Sequence, residues 1–218
     1  MGMIQLFNGD CLEVMKELSD NSVDYVLTSP PYNRKRNDKY KLYNDQIADY
    51  FTFNKEVIKQ LLRISKKHIF YNIQTNFYNR DTVYKLIGYF NKDIKEIIIW
   101  QKSNPMPASG NSITNAFEYF IVLGKESLKS NTTYTKNIIT SSVNSKMPKN
   151  HKAVMKQEIA DYFIETFTKE KDIILDPFMG LGTTGISCIS MNRDFIGIEL
   201  IKEYYEISGH RIQEASKS

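Results

Sequence analysis

Thr28-Ser29-Pro30-Pro31-Tyr32-Asn33 is equipped to act on a planar amino group. The lone pair of such a nitrogen is delocalised into its ring, which makes it a poor nucleophile. Two acceptors aimed at its two N–H bonds would draw it toward a tetrahedral, reactive shape. The Ser29 hydroxyl and the Pro30 carbonyl could supply them, because consecutive prolines hold the backbone in a fixed, extended loop. A nucleobase bearing that amino group would first have to leave its duplex. The Tyr32 ring offers a face on which the base would stack. The plain alternative is a proline-rich turn with a packed tyrosine. The apolar strand Val23 to Leu27, which delivers the segment to a loop, and a glycine loop elsewhere in the chain favour the chemical reading.

That second loop is Gly180-Leu181-Gly182-Thr183-Thr184-Gly185. Spaced glycines alone often mark only a tight turn. Here they follow an apolar strand and open a helix, the context in which glycine lets a ligand approach the backbone. Glu199 ends the next strand, where a carboxylate can accept both hydroxyl hydrogens of a ribose. The pattern reads as a site for an adenosine-containing cofactor. A dinucleotide fold needs a second mononucleotide half. Only 19 residues follow Glu199 in this chain of 218, so a mononucleoside such as S-adenosylmethionine fits better. Asp176-Pro177-Phe178 gives the loop a rigid entry.

The elements that must position these loops are short and alternating. Strands are expected at Ile4–Phe7, Val23–Leu27, His68–Ile73, Ile97–Trp100, Phe117–Leu123, Ile173–Leu175 and Phe195–Ile198. Helical periodicity marks Cys11–Leu18 with Asp10 as its N-cap, the stretch from Asp45 to Ile64, Asn79–Phe90, Met155–Phe167, Thr184–Met191 and Lys202–Ala215. This order predicts an α/β fold: a doubly wound, mostly parallel Rossmann-like sheet with helices on both faces. Its ligands would sit outside the carboxyl ends of the strands, where Asp10, the Ser29–Asn33 loop and the Asp176–Gly182 loop can converge. The stretch from Lys125 to Asn150 is polar and reads as a surface insert in one domain spanning 1–218.

Composition narrows the classes. Hydrophobic residues make up 41% and charged residues 25%, ordinary globular usage. The formal net charge of +4 permits nucleic-acid binding without arguing for it. Cys11 and Cys188 form no paired spacing that suggests zinc or redox chemistry, and no metal is expected. No apolar run approaches the roughly 20 residues that span a bilayer. The start of the chain lacks a signal-peptide pattern, so a soluble cytoplasmic protein is expected. Methylation at cytosine C5 is disfavoured, because it needs a cysteine nucleophile and neither cysteine lies in a proline-cysteine loop.

Thr28–Asn33 and Asp176–Gly182 together resemble the catalytic and cofactor motifs of the bacterial and viral DNA amino-methyltransferases. Their order, catalytic before cofactor, resembles the beta-type permutation of that family. Asn8-Gly9-Asp10-Cys11-Leu12, Ser22-Val23-Asp24 and Trp100-Gln101-Lys102-Ser103-Asn104-Pro105 are similar to further family segments, and the resemblance covers about Leu6 to Tyr205. It implies a site-specific DNA methyltransferase that uses S-adenosylmethionine. Ser29, Pro30, Pro31 and Tyr32 would be catalytic. Asp10 would contact the adenine and Glu199 the ribose. Cys11, Asp176, Pro177, Phe178, Gly180, Gly182, Thr183 and Thr184 would complete the cofactor pocket. Serine at position 29 resembles the N4-cytosine enzymes more often than the N6-adenine ones, though both use it. His151 lies near the segment that faces the cofactor's methionine end, but the family's prolines are missing there.

The same resemblance implies double-stranded DNA as partner, a homodimer, and a cognate restriction endonuclease beside it. Asn33, Arg34, Lys35, Arg36 and Lys39, with Tyr40 and Tyr43 among them, would grip phosphates and fill a vacated stack, or else form a solvated loop. Lys125 to Asn150 matches the family's target-recognition region by position. Methylation of RNA or of a protein glutamine uses the same amino chemistry and stays open. So does a nucleic-acid-binding module without catalysis. A nicotinamide dehydrogenase is disfavoured by the short stretch after Glu199.

Overall fold

The computed structural model describes residues 2–34, 46–108, 110–142 and 155–217. In chain order these form β1 (Ile4–Asn8), α1 (Cys11–Glu17), β2 (Val23–Thr28), α2 (Tyr50–Ile64), β3 (Ser65–Ile73), α3 (Arg80–Tyr89) and β4 (Ile94–Lys102). There follow β5 (Phe117–Gly124), β6 (Ile138–Ser141), α4 (Gln157–Phe167), β7 (Ile173–Asp176), α5 (Thr183–Ser190), β8 (Asp194–Glu199) and α6 (Lys202–Ala215). The strands make one sheet in the order β1-β8-β7-β2-β3-β5-β4-β6.

Alternation along the strands builds two cores. Val26, Ile69, Tyr71, Ile121, Leu123 and Leu175 face α1, α2 and α3. Their chain neighbours Leu27, Phe70, Phe120, Val122 and Ile174 face α4, α5 and α6. A strand buried on both faces reads as a continuous apolar run, as in FIVL of β5 and IIL of β7. Aromatic rings fill the second core: Phe163 lies 4.2 Å from Phe120 and 4.9 Å from Phe70, centroid to centroid.

The sheet is mostly parallel, as expected. Among the described residues only the two pairings of β5, with β3 and β4, are antiparallel. No helix separates β4 from β5, so the chain turns back directly and forgoes a right-handed crossover. The expectation that Lys125–Asn150 is wholly a surface insert needs correction. Ile138–Ser141 pairs in parallel with Ile99–Lys102 as the edge strand β6, and the Trp100 indole N–H donates to Ser141 Oγ at 2.8 Å. Residues 143–150 of that stretch lie outside the described residues.

β2 and β7 are neighbours, yet the chain leaves β2 toward β3 on one side and β7 toward β8 on the other. That is the switch point of a doubly wound sheet, where a crevice opens beyond the carboxyl ends. The Ser29–Tyr32 and Asp176–Gly182 loops both leave from it.

Candidate active site

Thr28 closes β2 and Asp176 closes β7, and a side-chain clasp joins the two ends. The Thr28 hydroxyl donates to Asp176 Oδ1 at 2.7 Å. The Phe178 N–H donates to the same oxygen at 3.1 Å, and the Thr184 hydroxyl to Oδ2 at 2.8 Å. Asp176 is thus buried and turned toward protein groups. Burial pushes its carboxyl up to about 6, against the hydrogen bonds from Thr28, Thr184 and Phe178 that lower it. Thr184 and Thr183 are buried too; the Thr183 carbonyl accepts from Gln157 and Ser187.

Beyond the clasp, the Ser29-Pro30-Pro31-Tyr32 loop is held at several points. The Tyr50 hydroxyl at the head of α2 donates to the Pro31 carbonyl at 2.5 Å. The Tyr32 carbonyl accepts from Asn76 Nδ2 and Asn79 Nδ2, each at 2.8 Å. The Tyr32 hydroxyl enters a polar cluster: Ser29 Oγ lies 2.9 Å away, Asn72 Oδ1 2.7 Å and Glu118 Oε2 2.8 Å. Ser29 Oγ also reaches Asn72 Oδ1 at 3.2 Å, and Asn72 Nδ2 donates to the Tyr119 carbonyl at 3.1 Å. Lys102 Nζ pairs with Glu118 Oε1 at 2.5 Å, with both side chains about nine-tenths buried. Burial, then the Glu118 charge, raises the Tyr32 phenol well above its ordinary range, so it keeps its proton.

The sequence did not single out Asn72, Glu118 or Lys102 for this cluster. β5 runs antiparallel, so its first residues lie level with the carboxyl ends of β2 and β3. A lone acid at the start of FEYFIVLG was the available signal. A buried acid in an apolar strand needs a partner.

The second half of the site lies beside β8. Gly9 N–H and Asn8 Nδ2 donate to the Glu199 carbonyl at 3.0 and 2.8 Å, which brings Asp10 and Cys11 next to Glu199. Glu199 Oε2 accepts from Gly180 N–H at 2.9 Å and Oε1 from Ile201 N–H at 2.8 Å. The Leu200 N–H also bonds the carboxylate, whose two oxygens together keep some acceptor capacity for a further donor. Burial raises the Glu199 carboxyl, against the N–H bonds that lower it. Asp10 caps α1, its Oδ1 accepting from Leu12 and Glu13 N–H. Burial, with Asp10 next in weight, pushes the Cys11 thiol up to about 12, so it stays a thiol. Phe178 is half-buried, and its ring lies 6.1 Å from that of Phe53.

Several expected roles change. Gly182 (φ +80°) sits at the N-cap of α5, and a Cβ there would meet Ser208 and Ile212 of α6 at 3.1 Å. Its glycine therefore serves a left-handed turn and helix packing; its missing Cβ does not make room for a ligand. Asn33, expected at DNA, is buried, and its side chain closes on the Ile47 backbone, Oδ1 accepting from N–H at 3.2 Å. Arg34 lies 5.2 Å from the Tyr32 ring centroid and donates to Gln74 Oε1 at 2.6 Å. Lys35, Arg36, Lys39, Tyr40, Tyr43 and His151 lie outside the described residues. Among the described residues no group of His, Cys, Asp or Glu could hold a metal, and no helix is long and apolar enough to cross a membrane.

Comparison with known proteins defines the class. Residues 23–210 match the N6/N4 methyltransferase family model, described as DNA methylase, and the chain belongs to that family. It is an S-adenosylmethionine-dependent DNA amino-methyltransferase. The chain is 28% identical to the type II methyltransferase M2.MboI of Moraxella bovis, over 96% of itself and 87% of that protein. It is 32% identical to the type II methyltransferase M.MwoI of Methanothermobacter wolfeii over 81% of itself, but over only 29% of that longer protein. Among solved structures, the M1.HpyAVI–SAM complex is similar at TM-score 0.71 and 25% identity, covering 96% of this chain and 99% of that one. The PvuII cytosine-N4-specific DNA methyltransferase shares the fold at TM-score 0.78 and 18% identity, over all of this chain and 92% of that one.

Proposed function

We propose that Ser29, Pro30 and Tyr32 act on the exocyclic amino group of a base turned out of DNA, N4 of cytosine first and N6 of adenine as the alternative. The single observation that carries this is the polar cluster that Ser29 forms with Tyr32, Asn72 and Glu118 at the head of the loop. Tyr32 keeps its proton, and the strongest acceptor within reach is the Glu118 carboxylate paired to Lys102. Asn72 is fixed with Oδ1 toward the serine, because its Nδ2 is spent on the Tyr119 carbonyl. With the Ser29 proton given to Asn72 or to the Tyr32 oxygen, the hydroxyl keeps a lone pair with which to accept. A hydroxyl held this way is an acceptor for an amino N–H. The Pro30 carbonyl, in a loop held by Tyr50 and the two asparagines, is the second acceptor. Serine at position 29 supports cytosine by family resemblance.

Glu199, Asp10 and the half-buried Phe178 fit an adenosine: a carboxylate with remaining acceptor capacity for a ribose hydroxyl, and an aromatic ring on the adjoining loop. S-Adenosylmethionine, when bound there, supplies an electrophilic methyl group on its sulfonium sulfur. Asp176, Thr28 and Thr184 set the two loops against each other. The reading extends to a homodimer acting in the cytoplasm beside a restriction endonuclease, supported by the beta-type motif order and by the type II names of the relatives. Ser29→Ala is expected to lower kcat roughly a hundredfold, the scale for losing one charge-stabilising hydrogen-bond partner. Cofactor affinity by calorimetry should be unchanged. An unaltered kcat would remove Ser29 from the chemistry.

A further inference from the structure

The loop between β3 and α3 is unusually well tied for a segment that carries two exposed aromatic rings. Asn79 Oδ1 accepts from Asn76 N–H at 2.7 Å, and Asn76 Oδ1 accepts from Tyr78 N–H at 2.8 Å. Asn79 Nδ2 also reaches the Gln74 carbonyl at 2.9 Å, and Asn115 Nδ2 donates to the Thr75 carbonyl at 2.6 Å. Two of these asparagines at the same time hold the Tyr32 carbonyl, so the loop is tied directly to the Ser29–Tyr32 segment. At its tip Phe77 is 78% exposed and Tyr78 53%. Their rings meet edge to face at 5.3 Å, and the Arg80 guanidinium lies 5.8 Å from the Phe77 ring.

Exposed aromatic rings are costly in water, and scattered ones need no explanation. Phe77 and Tyr78 differ from Met106, Ile113 or Tyr134 in being bolted to the backbone of the residue that would stack the target base. We infer that the Phe77–Tyr78 tip is a wedge that enters the DNA base stack and occupies the space left by the extruded nucleotide, with Arg80 at a neighbouring phosphate. The inference rests on the proposed handling of a flipped base by Tyr32. The chemistry supports it: an aromatic face replaces a lost base–base stack whatever the sequence, and apolar side chains inserted between base steps unstack them. A fixed distance from wedge to catalytic loop would couple entry of the ring to delivery of the base.

The test uses the full chain and a duplex containing its methylated site, found beforehand by mapping product on wild-type-treated DNA. Two versions are compared: one with the target base paired, one with an abasic position opposite it, so that extrusion needs little help. Phe77→Ala, an exposed position whose loss leaves the core intact, is expected to lower kcat/KM tenfold or more on the paired duplex. On the abasic duplex it should fall within about twofold of wild type, with cofactor affinity and solution mass unchanged. Equal activity on the paired duplex, an equal loss on both duplexes, or a changed solution mass (a surface between two copies of the chain) would overturn the wedge while leaving the reading of Tyr32 intact. No methylated base on wild-type-treated DNA, despite measurable cofactor binding, would overturn the reading of the site and the wedge with it.

Discussion

Asp176 joins the Ser29–Tyr32 loop to the loop it opens, and its carboxyl is raised from an ordinary 3.8 to about 6. A raised carboxylate value means that folding favours the protonated form. Its stabilising contribution is therefore full below about pH 4 and lost as the pH rises through about 6. The loss amounts to about 3 kcal/mol at roughly 1.4 kcal/mol per pH unit. Asp176→Asn keeps an acceptor for Phe178 and Thr28 but does not ionise. Urea unfolding at pH 4 and pH 7 should show the variant gaining on wild type by about that amount. A difference that stays constant between the two pH values would mean the carboxyl is not raised. At this scale the sequence was only partly legible. Ser29, Tyr32 and Glu199 stand out because their neighbours in the chain explain them. Asn72 and Glu118 do not, because they meet Tyr32 across 40 and 86 residues. Read alone, Asn72 is an ordinary polar strand residue. Asn33 misled for the opposite reason: beside a basic run it looked outward, while its side chain folds back on Ile47.

Most elements were legible because periodicity is a local property. The helix from Lys202 to Ala215 and the strand starting at Phe117 lie where the pattern puts them. β6 escaped because four residues, IITS, inside a polar stretch carry too little signal; its place is set by the β4 edge and by Trp100. The glycines of the cofactor loop show the same divide. Their spacing marked the loop, but the reason for two of them lies in α6. At Gly185 a Cβ would stand 2.5 Å from Ile212 Cδ1 and 2.7 Å from the Phe195 ring. Gly185→Ala would gain about 1 kcal/mol in helix propensity and lose about 1–3 kcal/mol to overpacking. A net destabilisation of up to about 2 kcal/mol in urea unfolding is expected, and a stabilised variant would show that α6 can yield.

For the molecule as a whole, the order of motifs along the chain fits the sheet. The Ser29–Tyr32 loop comes early in sequence and the Asp176–Gly182 loop late, yet β2 and β7 lie side by side, so the two loops leave the sheet together. Alternation of strands and helices predicted that convergence; only the clasp of Thr28 on Asp176 shows how closely the two loops are joined. The most direct test of DNA amino-methylation at this crevice is a product digest. The protein is incubated with mixed-sequence DNA and methyl-labelled S-adenosylmethionine, and the DNA is hydrolysed to nucleosides for mass spectrometry. Label on N4-methylcytosine is expected, and label on N6-methyladenine would keep the chemistry while reversing the choice of base. Label at cytosine C5, or none in DNA despite measurable cofactor binding, would contradict the assignment of Ser29 and Pro30 to an amino group of DNA.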